Sequence, residues 1–212
     1  MDAENPSNSF AIAIMQITKA IFKCSSERIT QVPKDALRDI AFIGRSNVGK
    51  SSLINMLTRH GGLAKVSATP GKTRLINHFL INNSWYLVDL PGYGYARTSK
   101  QLRGSFSKII TDYIFKCEKM HFLFVLLDIR LEPQKIDLEF INLLGENRVP
   151  FGLIFTKADK LSAAQRKHSI NRYKSTLAEH WEELPPHFIS SSEKQIGRDE
   201  ILDFIEKCLQ EG

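Results

Sequence analysis

The stretch that most limits the fold lies between residues 39 and 59. "DIAFIG" (39–44) is an apolar run, "GRSNVGKSS" (44–52) overlaps it at Gly44, and Leu53, Ile54 and Leu57 then recur at helical spacing. Gly44, Gly49, Lys50 and Ser51 fill every fixed position of G-x-x-x-x-G-K-[ST]. Glycines at those places let backbone N–H groups turn inward on phosphate oxygens, Lys50 reaches the outer phosphates, and the Ser51 hydroxyl can ligate Mg²⁺. Taken alone, the segment could also be a plain glycine turn. A strand that passes through such a turn into a helix opens a βα unit, which predicts a largely parallel sheet with helices on its faces.

The rest of the chain continues that alternation. "RLINHFLIN" (74–82) and "SWYLVDLP" (84–91) are strand-like runs joined at Asn82-Asn83, and asparagine tolerates the positive φ of a tight hairpin. After a Gly-containing turn over 91–94, residues 99–117 suit a helix. "HFLFVLLD" (121–128) and "FGLIFT" (151–156) are too uniformly apolar for half-wet strands and belong in a sheet covered on both faces. Further helices are predicted over 134–146, 163–181 and 198–210, with a short strand "HFIS" (187–190) before the last. The expectation is a three-layer α/β domain over 39–212, with a mostly parallel six-stranded sheet and one antiparallel hairpin strand. Residues 1–38 are read as an N-terminal extension packing on or preceding it. Ligands of such sheets bind at the carboxyl ends of the strands.

Composition narrows the class. The chain has 212 residues, 42% hydrophobic and 25% charged, enough for one full core and unlike disordered, fibrous or membrane chains. Its formal charge of +6 favours an anionic partner without naming one. Cys24, Cys117 and Cys208 are odd in number and in no metal-binding spacing, so a disulfide framework or zinc site is not expected and a reducing compartment is. The first residues, "MDAENPSNSFAIAIM", lack a basic start and a long apolar run, which predicts an unexported, cytoplasmic chain with no membrane span.

Other motifs fall at strand ends. "DLPG" (89–92) follows the second hairpin strand, so Asp89 can hold Mg²⁺ through water and the Gly92 N–H can donate to a γ-phosphate. "TKAD" (156–159) follows a buried strand. Asp159 can accept paired bonds from the N1–H and amine of guanine, while the Lys157 stem lies along the base, which selects GTP over ATP. Its alternative is a helix start capped by Asp159 or Ser162. "SSSEK" (190–194) can bring backbone N–H groups to the guanine carbonyl, or can be an ordinary turn. "TPGKT" (69–73) lies in a long loop, where Thr73 can ligate Mg²⁺ in the presence of a γ-phosphate and release it after hydrolysis; a type II turn at Pro70-Gly71 is the plain alternative.

Together, "GRSNVGKSSLIN", "TPGKTRLINHF", "LVDLPGYGYA", "TKADKL" and the serine run resemble the EngB (YihA/YsxC) subfamily of translation-factor-class bacterial GTPases, from Asp39 to the C-terminus. The resemblance implies a Ras-like G domain that hydrolyses GTP with Mg²⁺, acts in assembly of the large ribosomal subunit and is linked to septation in cell division. It places nucleotide contacts at Gly44, Arg45, Ser46, Asn47, Val48, Gly49, Lys50 and Ser51, at Gly71, Lys72, Thr73, Arg74 and Leu75, and at Asp89, Leu90, Pro91 and Gly92. Thr156, Lys157, Ala158 and Asp159 complete the base side with Ser190, Ser191 and Ser192. Ser51 and Thr73 are the implied metal ligands. Lys50, Thr73 and Gly92 are the groups expected to act in the reaction. The implied partners are the precursor large subunit, its RNA and its proteins; DNA is not expected, and the chain is expected to be a monomer.

Tyr93 stands where Ras-type GTPases carry the glutamine that orients the attacking water. Slow intrinsic hydrolysis is therefore expected, with a partner or K⁺ completing the site. The Asn47 side-chain carbonyl is the candidate K⁺ ligand, and a role in shaping the loop is its alternative. Lys72, Arg74, Arg97, Lys100, Arg103 and Lys108, with Tyr93 and Tyr95 as stacking groups, form a candidate RNA face. A metabolic P-loop kinase, or a module that binds GTP without hydrolysing it, remains a rival reading.

Overall fold

The computed structural model describes residues 15–65, 75–93 and 107–211. Its centre is a sheet of β1 (Ala20–Ser26), β2 (Asp39–Gly44), β3 (Ile76–Ile81), β4 (Trp85–Asp89), β5 (Met120–Asp128), β6 (Phe151–Thr156) and β7 (His187–Ile189), in the order β1-β3-β4-β2-β5-β6-β7. β2 pairs in parallel with β4 and β5, β5 with β6, and β6 with β7. β3 is antiparallel to both of its neighbours, so it is the single reversed strand of the described sheet. The hairpin turns at Asn82 and Asn83, both at positive φ (50° and 55°).

The sheet has seven strands where six were expected. β1 adds itself to the outer edge of β3 with a register shift between Phe22 and Cys24. Its sequence has no clear alternation, and it leaves Ile21 and Phe22 exposed, so pairing with β3 rather than patterning makes it a strand.

Parity along the strands separates two cores. Ala41, Ile43, Val88, Val125 and Phe155 face α2 (Lys108–Lys116), α3 (Lys135–Glu146) and α4 (Ala163–Ala178). Ile40, Phe42, Leu87, Phe124 and Ile154 face α1 (Lys50–Thr58) and α5 (Arg198–Gln210). Because β2 and β5 are buried on both faces, their runs are apolar without alternation. α4 stops three residues before the expected Trp181, whose ring packs on Phe151 and whose indole N–H donates to Asn142. From β2 the sheet grows both ways, toward β4 and toward β5, and the crevice at that divergence lies at the carboxyl ends of the strands. None of the described helices is long and apolar enough to cross a membrane.

Candidate functional site

All the described motif segments arrive at that one end of the sheet. The loop from Gly44 to Ser51 leaves β2 and enters α1; Asp89 to Gly92 leaves β4, Thr156 to Asp159 leaves β6, and Ser190 to Ser192 leaves β7. Gly49 has φ 106°, a left-handed backbone that suits glycine, and a Cβ at Gly44 would stand 2.8 Å from the Leu126 carbonyl of β5. Asn47 is also left-handed, at φ 64°, which asparagine accepts more readily than most residues. That gives the odd asparagine a backbone reason for being there, while its side chain is exposed at the loop surface.

The phosphate side is bracketed by Lys50 and Asp89, whose side chains are in direct contact. Burial lowers the Lys50 ammonium to about 7, although its side chain touches the Asp89 carboxylate. Leu90 donates its N–H to Phe42, and Tyr93 donates its N–H to Gly44, laying the "DLPG" turn directly against the phosphate loop. A Cβ at Gly92 would be 3.2 Å from the Gly44 carbonyl and 3.3 Å from the Ser46 nitrogen.

The base side is tied to the phosphate loop from below. The Thr156 hydroxyl donates to the Val48 carbonyl (2.6 Å), and Lys157 Nζ donates to the Asn47 carbonyl (2.7 Å) and to Asp128 Oδ2 (2.8 Å). Lys157 thus braces the loop with its ammonium while its stem borders the cleft. Ser191 Oγ donates to Asp159 Oδ1 at 2.6 Å, and Lys160 pairs with the same carboxylate. That serine, and after it Lys160, hold the Asp159 carboxyl at about 2, so it is an acceptor at any physiological pH. Ser162, not Asp159, caps α4, with Gln165 returning the bond in a capping box. Asp159 is therefore not used up as a helix cap. The cleft between these parts measures about 760 Å³ and is lined by Gly49, Asn55, Arg59, Thr156, Lys157, Asp159, Ser192 and Gln195. A nucleoside fits that size.

Several expected residues sit differently. Tyr93 is no stacking group: it is 2% exposed, its ring packs on Phe140, and its hydroxyl donates to Asp137 Oδ1 at 2.9 Å. Asp137, on the first turn of α3, also faces Arg45 of the phosphate loop at 3.4 Å. Burial raises the Asp137 carboxyl, with Arg45 and then Tyr93 opposing the rise. Of the three serines, Ser190 is buried, its carbonyl taking the Ala158 N–H, while Ser191 holds Asp159 and Ser192 borders the cleft. Leu75 is half-buried just before β3. Lys108 is exposed and paired with Asp112. Gly71, Lys72, Thr73 and Arg74, together with Tyr95, Arg97, Lys100 and Arg103, lie outside the described residues.

Asp128 was missed from the sequence. It ends β5 and holds both Lys157 and Arg130, and although burial alone would raise its carboxyl, those two cations bring it to about 2. A carboxylate closing an apolar strand, the pattern that singled out Asp89, was the available signal. Asp137 had none, because only the fold brings it to Tyr93 and Arg45.

Residues 39–157 match the family of 50S ribosome-binding GTPases. Among curated relatives, the "Probable GTP-binding protein EngB" of Bacteroides thetaiotaomicron is 61% identical over 197 residues, covering 93% of this chain and 98% of that one. The protein of the same name from Porphyromonas gingivalis is 58% identical over equal coverage. The chain belongs to the EngB family of GTP-binding proteins. It is a GTPase with a guanine-nucleotide site, as that family membership and the GTPase-domain match establish. Among solved structures, a probable EngB protein superposes with a TM-score of 0.63 at 22% identity, over 82% of this chain and all of that one, which bears on the fold. Era, in a complex with MgGDPNP and nucleotides 1506–1542 of 16S ribosomal RNA, superposes with a TM-score of 0.62 at 26% identity, over 83% of this chain and 58% of its own.

Proposed function

We propose that this EngB-family chain is a GTP-driven switch for assembly of the large ribosomal subunit, acting in the cytoplasm as a monomer and needed for normal septation. The observation that carries the proposal is the match of residues 39–157 to 50S ribosome-binding GTPases. In this reading the nucleotide spans the cleft, with its phosphates on the N–H groups from Gly44 to Ser51 and its base between Lys157, Asp159 and the serine run. Lys50 exchanges its contact with Asp89 for the outer phosphates, and Gly92 meets the γ-phosphate. Thr73 and its neighbours from Gly71 to Leu75 respond to that phosphate.

Mg²⁺ fits the donors at hand. Ser51 lies in the first turn of α1, next to Lys50, whose side chain contacts the Asp89 carboxylate, and hydroxyl and carboxylate oxygens are the ligands a hard cation takes. Ser51 and Thr73 would hold it directly and Asp89 through water, where it would offset phosphate charge. With Tyr93 locked on Asp137, no side chain directly after Gly92 is free to orient water. Hydrolysis is then slow until a ribosomal partner, or K⁺ at Asn47, completes the site. RNA contact is assigned to the basic face that includes Lys72, Arg74, Arg97, Lys100 and Arg103, by analogy with Era, whose solved complex holds ribosomal RNA.

Sedimentation with ribosomal subunits and their precursors, under GDP and under a non-hydrolysable GTP analogue, tests the proposal. Binding to large-subunit particles is expected to be stronger with the analogue and to weaken on charge reversal at Arg97 and Arg103. Equal sedimentation in both nucleotide states, unchanged by those substitutions, would defeat it.

A further inference from the structure

Charge is laid out on α4 unlike on the other surface helices. α2 pairs Lys108 and Lys116 with Asp112, α3 pairs Lys135 with Glu139, and α5 pairs Lys207 with Asp203, each at a four-residue spacing. α4, "AAQRKHSINRYKSTLA", carries Arg166, Lys167, Arg172 and Lys174 and not one acidic residue in sixteen. Arg172 finds Glu132 from the loop after β5. Arg166, Lys167 and Lys174 have no ion pair among the described residues.

The placement also works against the helix. Arg166 lies in the first turn and Lys167 directly after it, with no acidic residue in that turn and no basic one in the last. The amino end of a helix is where cations are least favoured and the carboxyl end where they are most favoured. The capping box at Ser162 and Gln165 holds the start of α4 regardless. Lys167 and Lys174 are two turns apart on one stripe, about 10 Å along the axis. Lys174 also adds to burial in lowering the His187 imidazole at the sheet edge, with Glu200 of α5 opposing it.

None of the exposed large apolar side chains lies on α4. A membrane-surface helix buries an apolar face in the lipid, and protein interfaces centre on aromatic anchors; this face offers neither. From this arrangement we infer that α4 is a second, nucleotide-independent docking surface for the phosphate backbone of ribosomal RNA. The inference rests on the ribosomal reading above. It differs in place and in behaviour, because α4 is fixed by its cap and by Ile170, Tyr173 and Leu177 in the core, not by a γ-phosphate.

The test compares the unsubstituted chain with an Arg166→Gln/Lys167→Gln/Lys174→Gln variant, using large ribosomal subunits and, separately, protein-free large-subunit RNA as probes. Glutamine keeps helix propensity, and circular dichroism and melting report whether the variant is folded. The variant is expected to bind both probes on the order of tenfold more weakly at moderate salt, by the same factor under GDP and GTP analogue. Its slope of log affinity against log salt should be shallower by about 2, near 0.7 for each lost phosphate contact to unpaired RNA. GTP turnover without RNA should not change. A single Lys167→Gln variant, should the triple one not fold, is expected to remove about one third of that slope change. Unaltered binding and slope overturn the α4 surface while leaving the ribosomal reading intact. Loss on the subunit but not on bare RNA overturns the RNA assignment in favour of a protein partner. Failure of the unsubstituted chain to bind either probe defeats the ribosomal reading and the inference with it.

Discussion

The two ends of the parallel strands use polar side chains in opposite ways. At the carboxyl end, Lys50 with Asp89, Lys157 with Asp128, and Ser191 with Asp159 join one motif to another around a cleft of about 760 Å³. At the amino end, Asp39, His78 and Tyr113 are fully buried between the sheet and α2, with the Tyr113 hydroxyl donating to Asp39 Oδ2 at 2.6 Å. His78 Nε2 stands 3.5 Å from the same carboxylate, and neither ring nitrogen has a hydrogen bond among the described residues. Burial, and then the Asp39 charge, hold the Tyr113 phenol well above its ordinary range, so it stays a donor. One end pairs groups that a ligand can take over. The other seals polar groups where no ligand reaches, so they serve only the assembly of β2, β3 and α2.

Substitutions at the two ends should therefore separate binding from stability. The largest effect is expected from Asp159→Ala. In the proposed base contact two charge-assisted bonds to guanine at about 1.5–3 kcal/mol each disappear, so GTP affinity should fall on the order of 10²- to 10⁴-fold with loss of discrimination against ATP. Its melting temperature should fall by no more than a few degrees, since the pair with Lys160 is half exposed and the loss that counts is the acceptor of the buried Ser191 hydroxyl. Isothermal titration beside a thermal melt checks both halves. Next comes Asp39→Ala, which leaves the buried Tyr113 hydroxyl without its acceptor and should cost about 1–3 kcal/mol, or several degrees of melting temperature, with GTP affinity within about twofold. If that variant instead lost GTP binding at full stability, the contrast between the two ends would collapse.

The smallest effect is a pH dependence at Asp128. Its folded pKa, about 2, lies below the usual carboxylate value, so its contribution is complete above about pH 4 and is lost as pH falls toward 2. Melts between pH 5 and pH 2 should show a shallower acid decline for Asp128→Asn than for the unsubstituted chain. Parallel declines would mean that Arg130 and Lys157 do not stabilise the ionised form.

The sequence reading anticipated that the described motif loops meet at the carboxyl end, because each follows directly on an apolar strand. Gly44 to Ser51, Asp89 to Gly92 and Thr156 to Asp159 could be placed from local pattern and strand order alone. The amino end was not readable. Asp39 looks like a strand boundary, His78 like an ordinary residue of an alternating strand, and Tyr113 like a helix position. Tyr93 was misread for the same reason: its neighbours are polar and basic in sequence, whereas its true partners, Asp137 and Phe140, come from α3.

What the sequence determined by itself was the class of fold and the place of the motif loops in it, since a glycine turn between a strand and a helix needs only its own backbone and nearest residues. What the tertiary structure decided was every pairing across distance. β1 became a strand because β3 offered an unpaired edge, Asp128 became the brace of Lys157 because β5 and β6 lie side by side, and Tyr93 became part of the core because α3 packs where it does. Burial and charge pairing depend on what surrounds a residue in space, and a residue's neighbours along the chain do not report that.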